Sequence, residues 1–169
     1  MEFSIYLDPF DPEELELPVT GSGMQLGNEV VFAGKTDYPD HLNGFDLAII
    51  GVNEGRRSLN NQGCSLAPDH IRNFLYRLAP LKEKIKMIDL GNIKKGEQVS
   101  DTYFALKQTL GELLQAGTMP LVLGGSQDLT YSMYLAFEET RRIINMVEID
   151  SRMMSSRPNM TPRLIHSMR

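Results

Sequence analysis

The fold of this chain is decided by the stretch Met119-Pro120-Leu121-Val122-Leu123-Gly124-Gly125-Ser126-Gln127-Asp128-Leu129-Thr130. An apolar run ends at two glycines, and polar residues then open a segment with helical periodicity. This order predicts a buried strand, a tight turn and a helix. Ligands of open α/β sheets bind beyond the carboxyl ends of the strands, so this turn marks the edge where a functional site is expected.

Similar strands and helices alternate on either side of this stretch. Continuous apolar runs bounded by turn residues predict strands at 46–52, 85–90, 119–123 and 143–150. Helical spacing predicts helices at 67–78, 101–116 and 128–141, with Asp101 as an N-cap and Gly117 as a left-handed C-terminal residue. The alternation is typical of an α/β fold with a parallel sheet covered on both faces.

Each predicted helix carries an apolar stripe that is expected to face the sheet. In the first helix, Pro68 suits the first turn and Asp69 suits the positive end of the helix dipole. The stripes are Ile71, Phe74, Leu75 and Leu78 in the first helix, Leu106, Leu110, Leu113 and Leu114 in the second, and Leu129, Met133, Ala136 and Phe137 in the third.

The two ends of the chain lack this regularity. Residues 1–45 are rich in proline and glycine and are expected to form an irregular extension, to which 29–33 adds at most a strand or a hairpin. The glycines at 21–27 have the wrong spacing for a dinucleotide-binding loop and predict a turn. Residues 151–169 show no periodicity and are expected to be unstructured or a truncated tail, which leaves 46–150 as the ordered domain.

Composition restricts the function classes. A chain of 169 residues with 41% hydrophobic and 23% charged residues fits one globular domain. The net charge of −5 argues against nucleic acid as a partner, and the basic stretch 82–86 is expected to be solvated. A single cysteine suits a reducing compartment. The start lacks the pattern of a signal peptide, and no apolar run approaches the roughly 20 residues of a membrane span. We therefore expect a cytoplasmic protein without a membrane partner.

Parallel crossovers place every strand-to-helix loop at one edge of the sheet, here called the rim. The loops at 53–65, 91–100 and 124–128, and the stretch after residue 150, should converge there. On the first loop, Glu54, Arg56 and Arg57 would either recognise a carboxylate-bearing small molecule or form an ion pair within the loop. The candidate rim and ligand-binding residues are Glu54, Arg56, Asn60, Gln127, Asp128, Asp150 and Arg152.

For the remaining candidates, a structural role or simple exposure to solvent is favoured over ligand binding or catalysis. Gln127 and Asp128 would touch a ligand at a helix N-terminus, but a helix cap by Ser126 or Asp128 is the favoured alternative. Cys64 has no evident supporting histidine and is expected to be a small core or loop residue. His70 and His166 are expected to be solvated.

Several of these segments stand in the order of a known family. From 46 to about 154, the chain resembles the arginase, agmatinase and formiminoglutamase group, the ureohydrolases. The resemblance rests on Gly51, Asp150, Ala67-Pro68-Asp69-His70-Ile71-Arg72, Asp89-Leu90-Gly91 and Gly124-Gly125. The sequences at 54–61 and 127–131 are similar to those of a divergent bacterial branch of this group that has an N-terminal extension.

The resemblance implies a three-layer αβα sandwich, truncated here to about the first four strands, in a family whose members are usually oligomers. It also implies hydrolysis of a guanidino or formimino C–N bond by a hydroxide that bridges two Mn²⁺ ions. The family supplies the metal ligands from a Gly-Gly-Asp-His motif after the third strand, an Asp-Ala-His-x-Asp motif after the fourth, and a later Asp-x-Asp motif.

This chain departs from those ligand motifs. Ser126 and Gln127 occupy the Asp-His places, and Arg152 and Met154 occupy the places of the second histidine and aspartate. A fixed positive charge such as that of Arg152 opposes a cation. Asp150 is the one matching ligand, and pairing with Arg152 or capping a loop is its favoured role. The third motif does not occur within the 169 residues. We therefore expect no bound metal.

Three function classes stay open. The chain is a binding or scaffold protein with a degenerate metal site, a hydrolase whose remaining site residues lie beyond residue 169, or a fragment without a function of its own. A small molecule and a second copy of the chain are the partners considered. In the family, later strands lie between the third and fourth, so we expect a stable three-stranded core with a poorly anchored fourth strand.

Overall fold

The computed structural model describes residues 3–15, 25–34, 38–39, 42, 44–141, 147 and 149. It confirms the α/β class. The strands are β1 (Leu7–Asp8), β2 (Val30–Phe32), β3 (Leu47–Val52), β4 (Met87–Ile93) and β5 (Met119–Leu123). The α-helices are α1 (Ala67–Leu75), α2 (Val99–Ala116) and α3 (Leu129–Glu139). Short 3₁₀ helices lie at Phe3–Ile5, Pro12–Glu14, Leu26–Asn28 and Gln62–Leu66.

The centre of the sheet is a parallel set of three strands in the order β4-β3-β5. Ile49 of β3 lies opposite Asp89 on one side and Leu121 on the other. Residues of β3 and β4 are almost wholly buried, as continuous apolar runs predict for strands covered on both faces. The three-stranded core expected from the sequence is therefore present.

The N-terminal segment is not the irregular extension that we expected, because it contributes two strands to the same sheet. Strand β1 pairs antiparallel with β4, with Leu7 opposite Ile93, and β2 pairs parallel with it, with Val30 opposite Met87. The alternative of a strand near 29–33 is thus confirmed. Together β1 and β2 cover the outer side of β4, so this edge of the sheet consists of two very short strands, a common way to blunt an edge.

Helices cover both faces of the sheet, which gives the three layers of an αβα sandwich. One core lies between α2, α3 and the sheet and includes Ile50, Leu90, Leu106 and Ala136. The other lies on the α1 face and includes Ile49, Tyr76 and Leu123 together with Phe10, Leu15 and Leu26 of the N-terminal segment. The N-terminal segment is therefore part of the hydrophobic core.

The predicted sheet-facing stripe of α1 is wrong for three of its four members, and Leu75 alone packs against the core. The helix ends at Leu75, and its buried residues are Pro68 and Arg72, followed by the buried Tyr76. Ile71, Phe74 and Leu78 are 38%, 72% and 56% exposed. The cause is a buried arginine, because Arg72 turns the polar side of the helix toward the sheet and leaves the apolar flank outside.

The other helices follow the prediction more closely. Gly117 ends α2 in the left-handed conformation, with φ +79°. Asp101 is not its N-cap: α2 begins at Val99, and the Asp101 carboxylate accepts from the Gln98 backbone N–H at 2.8 Å in a capping box. In α2, Leu106, Leu110 and Leu113 are fully buried and Leu114 is not.

The predicted fourth strand lies almost entirely outside the described residues. Its two described members, Val147 and Ile149, belong to no strand and are 84% and 96% exposed. The tail at 151–169 also lies outside the described residues. Within the described ranges, no helix combines the length and apolarity needed to cross a membrane.

Candidate functional site

Three of the predicted loops meet at the carboxyl ends of the parallel strands. The Ser126 N–H donates to the Glu54 carbonyl at 2.8 Å, and the Gly125 N–H donates to the Cys64 carbonyl at 3.3 Å. The Arg56 Nη1 donates to the Glu97 carbonyl at 2.8 Å. The convergence predicted from parallel topology is therefore confirmed for the loops after β3, β4 and β5.

The turn after β5 depends on its two glycines. Gly124 and Gly125 have φ of +67° and +85°, which side chains with a Cβ rarely adopt. A Cβ on Gly124 would lie 2.6 Å from the Pro68 ring at the start of α1. The glycines let the chain pass close to α1 and bring Ser126 against the loop after β3.

Glu54 is a buried anion among the described residues of the rim. Its side chain is 0% exposed and accepts from the Arg56 backbone N–H at 2.9 Å, from Arg56 Nε at 3.0 Å and from Arg56 Nη2 at 2.5 Å. Burial acts to raise the pKa of Glu54, but the hydrogen bonds and positive charge of Arg56 outweigh it and lower the pKa to about 2. Of the two alternatives for this loop, the internal ion pair is the one formed.

Residues of α2 complete this rim cluster, and sequence reasoning missed them. Arg56 Nη2 also donates to Thr102 Oγ1 at 3.3 Å. The Arg57 guanidinium lies 5.7 Å from the centre of the Tyr103 ring, and the Tyr103 hydroxyl donates to the Asp128 carboxylate. Glu54, Arg56 and Asp128 therefore tie the three loops to the start of α2.

The expected cap of α3 is wrong. Asp128 occupies the N-cap position but makes no side-chain cap bond, because its carboxylate accepts from Tyr103. The Ser126 hydroxyl oxygen is buried and has no hydrogen-bond partner among the described residues. Gln127, which stands at the place of the family histidine, is exposed. The end of β5 thus presents a hydroxyl and an amide.

The remaining candidates are spread over the rim or lie elsewhere. Asn60 is exposed, with φ +55°, in the turn before the 3₁₀ helix Gln62–Leu66. Cys64 is partly exposed in that helix, and His70 is exposed on α1, as expected for both. Asp150, Arg152 and His166 lie outside the described residues, so their roles stay predictions.

A second polar cluster joins α1 to β4 beneath the rim. Arg72 is fully buried and bonds Asp89 twice, from Nε to Oδ2 at 2.7 Å and from Nη2 to Oδ1 at 2.9 Å. Its other N–H groups donate to the Gly91 carbonyl, Asn92 and Asp69 at 2.9, 2.6 and 3.3 Å. Every donor of this guanidinium therefore has a partner, which its burial requires.

Tyr76 and Phe10 close this cluster. The Tyr76 hydroxyl donates to Asp89, and burial, together with the charge of Asp89, raises the pKa of Tyr76. The Phe10 ring lies 4.7 Å from the Arg72 guanidinium and contributes a cation–π contact. The sequence signal for this cluster was an arginine, Arg72, within a predicted helix, together with an aspartate, Asp89, inside a predicted buried strand.

Comparison with known proteins identifies the family. The family model described as "Arginase family" matches residues 45–168, well over half of the chain. The chain belongs to the arginase family.

Curated relatives are distant members of the same group. The chain is 26% identical to the formimidoylglutamase of Halalkalibacterium halodurans, over 75% of this chain and 43% of that protein. It is also 26% identical to the mitochondrial guanidino acid hydrolase of Mus musculus, over 63% of this chain and 32% of that one. The chain therefore spans less than half the length of these relatives.

Solved structures show the same fold. The formimidoylglutamase of Bacillus subtilis has a TM-score of 0.58 at 23% identity, over 76% of this chain and 44% of that chain. The Trypanosoma cruzi formiminoglutamase with Mn²⁺ has a TM-score of 0.53 at 21% identity, over 60% of this chain and 37% of that one. These likenesses establish an arginase-like α/β architecture.

The described rim residues do not supply the ligands of the Mn²⁺ pair that the family implies. Mn²⁺ is held by carboxylate oxygens and imidazoles, whereas the turn after β5 supplies the Ser126 hydroxyl and the Gln127 amide. The carboxylates of Glu54 and Asp128 are engaged by Arg56 and Tyr103. Within the described ranges, no three His, Cys, Asp or Glu side chains come together as a metal ligand set.

Proposed function

We propose that this arginase-family chain has a degenerate metal site and acts as a binding or scaffold protein. The observation that carries the proposal is the donor set after β5, where Gln127 stands in place of the family histidine. An amide is a poorer ligand than an imidazole for a metal that must lower the pKa of bound water.

The ion pair on the loop after β3 supports the same proposal. Glu54 is a fully buried carboxylate among the described residues of the rim, and Arg56 holds it with a bidentate hydrogen bond. A cation that took Glu54 as a ligand would have to displace Arg56 and leave its charge beside the metal. The small-molecule ligands that suit this rim are anionic, because Arg57 presents an exposed guanidinium beside Tyr103.

The second candidate function is hydrolysis of a C–N bond in a guanidino or formimino substrate. It is favoured by the formimidoylglutamase and guanidino acid hydrolase relatives, of which the chain spans less than half. In that case the remaining site residues would lie beyond residue 169. We place the protein in the cytoplasm under either function.

Turnover measurements separate the two candidates. The 169-residue chain, and any longer product of the same reading frame, are each incubated with Mn²⁺ and with formiminoglutamate, agmatine, arginine or a guanidino acid, and release of ammonia, formamide or urea is followed. The scaffold function predicts no turnover above the rate with Mn²⁺ alone. Turnover that Glu54→Gln abolishes and that Glu83→Gln, an exposed control on another loop, leaves unchanged would establish the hydrolase instead.

A further inference from the structure

We propose that the N-terminal segment acts as a clasp that keeps the rim ordered by holding α1 in place. The clasp is defined as residues 3–15 and 25–34, which the structure describes. It contacts the carboxyl-terminal end of α1, whereas the amino-terminal end of the same helix packs against two rim loops. Opening of the clasp would therefore release the rim. The inference goes beyond the proposed function and depends on neither a metal nor a substrate.

The clasp provides hydrogen-bond donors at the carboxyl-terminal end of α1. The Gly27 N–H donates to the Tyr76 carbonyl at 3.0 Å, and the Leu26 N–H donates to the Leu78 carbonyl at 2.8 Å. The last carbonyl groups of a helix have no partner within the helix itself. Tyr76, the C-cap residue of α1, is fully buried, so water does not reach its carbonyl. The clasp thus supplies the bond that this helix end requires.

The contact between the clasp and α1 is close enough to require glycine at position 27. A Cβ on Gly27 would lie 2.9 Å from the Tyr76 Cβ and 3.3 Å from the Tyr76 carbonyl oxygen. Neither atom can move away by rotation of a side chain, because the backbone of α1 fixes both. Gly27 is not one of the glycines with positive φ, so a larger residue would disturb this contact and not the local backbone conformation.

Aromatic side chains of the clasp also cover the buried ion pair of Arg72 and Asp89. The Phe32 ring packs edge-on against the Tyr76 ring, with the two ring centres 5.4 Å apart. The Phe10 ring lies 6.3 Å from the Phe32 ring and 4.7 Å from the Arg72 guanidinium. An open clasp would admit water to the ion pair, and water weakens the attraction between the two charges. The position of α1 against β4 therefore also depends on the clasp.

The amino-terminal end of α1 passes this restraint to the rim. Pro68 lies so close to the turn after β5 that a Cβ on Gly124 would be 2.6 Å from its ring. The Asp69 carboxylate accepts from Asn53 Nδ2 at 3.4 Å, and Asn53 is the first residue after β3. The nine-residue helix has no glycine, and its one proline is in the first turn, so it should move as a rigid body about 14 Å long. A shift at Tyr76 therefore displaces both rim loops.

The clasp is expected to open at a lower free energy than the centre of the sheet. Its strands β1 and β2 have two and three residues, and each pairs with β4 in the described part of the chain. Strands β3 and β4 have six and seven residues and pair with each other between helices on both faces. Segments with few ladder bonds open locally before the whole domain unfolds. The rim can thus lose its order while β3, β4 and α2 remain folded.

Hydrogen exchange of the 169-residue chain tests the proposal at the Gly125 and Ser126 amides. Both N–H groups donate to carbonyl groups of the loop after β3, so their exchange measures opening of the rim. In the parent, these two amides should exchange with the same free energy of opening, and the same dependence on urea, as the Gly27 amide of the clasp. The Ile50 amide, within β3, should require a larger free energy of opening.

Gly27→Val should speed exchange of the Gly125 and Ser126 amides at least about tenfold, because it destabilises the closed clasp and not the open one. The matched control is Leu110→Ala in α2, which is fully buried in the core on the other face of the sheet. This control should speed exchange of the Ile50 amide and leave the two rim amides unchanged, since α2 stays packed while the clasp is open.

If circular dichroism shows that Gly27→Val does not fold, Phe10→Leu takes its place. Phe10→Leu keeps an apolar side chain but removes the cation–π contact with Arg72, and it should speed rim exchange in the same direction. Rim amides that exchange with a free energy of opening lower or higher than that of the Gly27 amide would overturn the proposal. Rim exchange that Leu110→Ala speeds as much as the clasp variant, or that the clasp variant leaves unchanged, would also overturn it.

Discussion

Arg72 and Asp89 face each other as a two-pronged ion pair, with Nε 2.7 Å from Oδ2 and Nη2 2.9 Å from Oδ1, and neither side chain reaches solvent. This pair joins α1 to β4 and orders the start of α1, where Pro68 meets the Gly124 turn. The ion pair thereby positions the rim loops, although neither Arg72 nor Asp89 lies in one of them.

Arg72→Met is expected to lower the free energy of unfolding by about 3–5 kcal/mol, because Asp89 would be left as a buried, unpaired charge. Urea denaturation measures the loss. Arg72→Lys should also destabilise, since an ammonium cannot reproduce the five-donor fork. The exposed Lys84→Met is the control and should stay within about 0.5 kcal/mol of the parent.

If Arg72→Met does not fold, the double variant Arg72→Met/Asp89→Leu keeps the prediction testable. It leaves no buried charge and should recover part of the lost free energy. If Arg72→Met and Lys84→Met lowered the free energy of unfolding equally, this would contradict a stabilising role for the Arg72–Asp89 ion pair.

Gly91→Ala is expected to lower the free energy of unfolding by about 2 kcal/mol or more. Gly91 has φ +86°, and a Cβ at this position would lie 2.0 Å from the Asp8 carbonyl of β1. The matched control is Gly63→Ala, where a Cβ meets nothing within 4 Å. Thermal or urea unfolding of both variants gives the comparison. A Gly91→Ala variant as stable as Gly63→Ala would show that β1 does not pack on β4 as described.

The ion pair of Glu54 with Arg56 should make the stability of the chain depend on pH in the acid range. The folded-state pKa of Glu54, about 2, lies below its ordinary value of 4.5, so the contribution of Glu54 to stability is fully present above pH 4.5 and is lost as the pH falls toward 2. We expect the contribution to be about 2 kcal/mol, because the partner Arg56 is partly exposed. Glu54→Gln should remove that share of stability at pH 7 and flatten the curve below pH 4.5.

Urea denaturation from pH 7 to pH 2.5 measures this dependence for the parent and for Glu54→Gln. Glu83→Gln, on an exposed loop, should follow the parent curve at every pH. Parallel curves for the parent and Glu54→Gln would mean that Arg56 does not stabilise the Glu54 carboxylate.

Ser126→Ala is expected to be neutral or to stabilise the chain by up to about 1 kcal/mol. The Ser126 hydroxyl oxygen is buried without a partner among the described residues, and burying such a group has a desolvation cost. Ser65→Ala is the contrasting variant, since Ser65 donates to the Gln62 carbonyl at 3.0 Å. Destabilisation by Ser126→Ala of more than about 1 kcal/mol would reveal a partner for this hydroxyl.

Local patterns predicted the centre of the fold. The apolar run at 119–123 and the glycines at 124 and 125 gave the strand and turn correctly, because both signals lie within a few neighbouring residues. Parallel topology then placed the three rim loops together. Strand β1 was missed, since two residues carry no periodicity and their pairing with β4 is set by distant contacts.

The candidate site was predicted in its location and only partly in its contacts. Glu54 and Arg56 are near neighbours in sequence, so their ion pair was among the alternatives. Thr102 and Tyr103 were not predicted, because they reach the rim from α2. The orientation of α1 was wrong for a related reason: Arg72 is buried through partners about 20 residues away along the chain, which its helical spacing does not reveal.

The proposed degenerate metal site is tested most directly by the metal content of the purified chain. The protein is equilibrated with Mn²⁺ by dialysis, and bound metal is counted by mass spectrometry beside a Gln127→His variant. The residues after β5 predict fewer than about 0.1 Mn²⁺ per chain for both proteins, because one added imidazole does not make a ligand set. Two Mn²⁺ per chain in the parent, retained at neutral pH, would contradict the degenerate site.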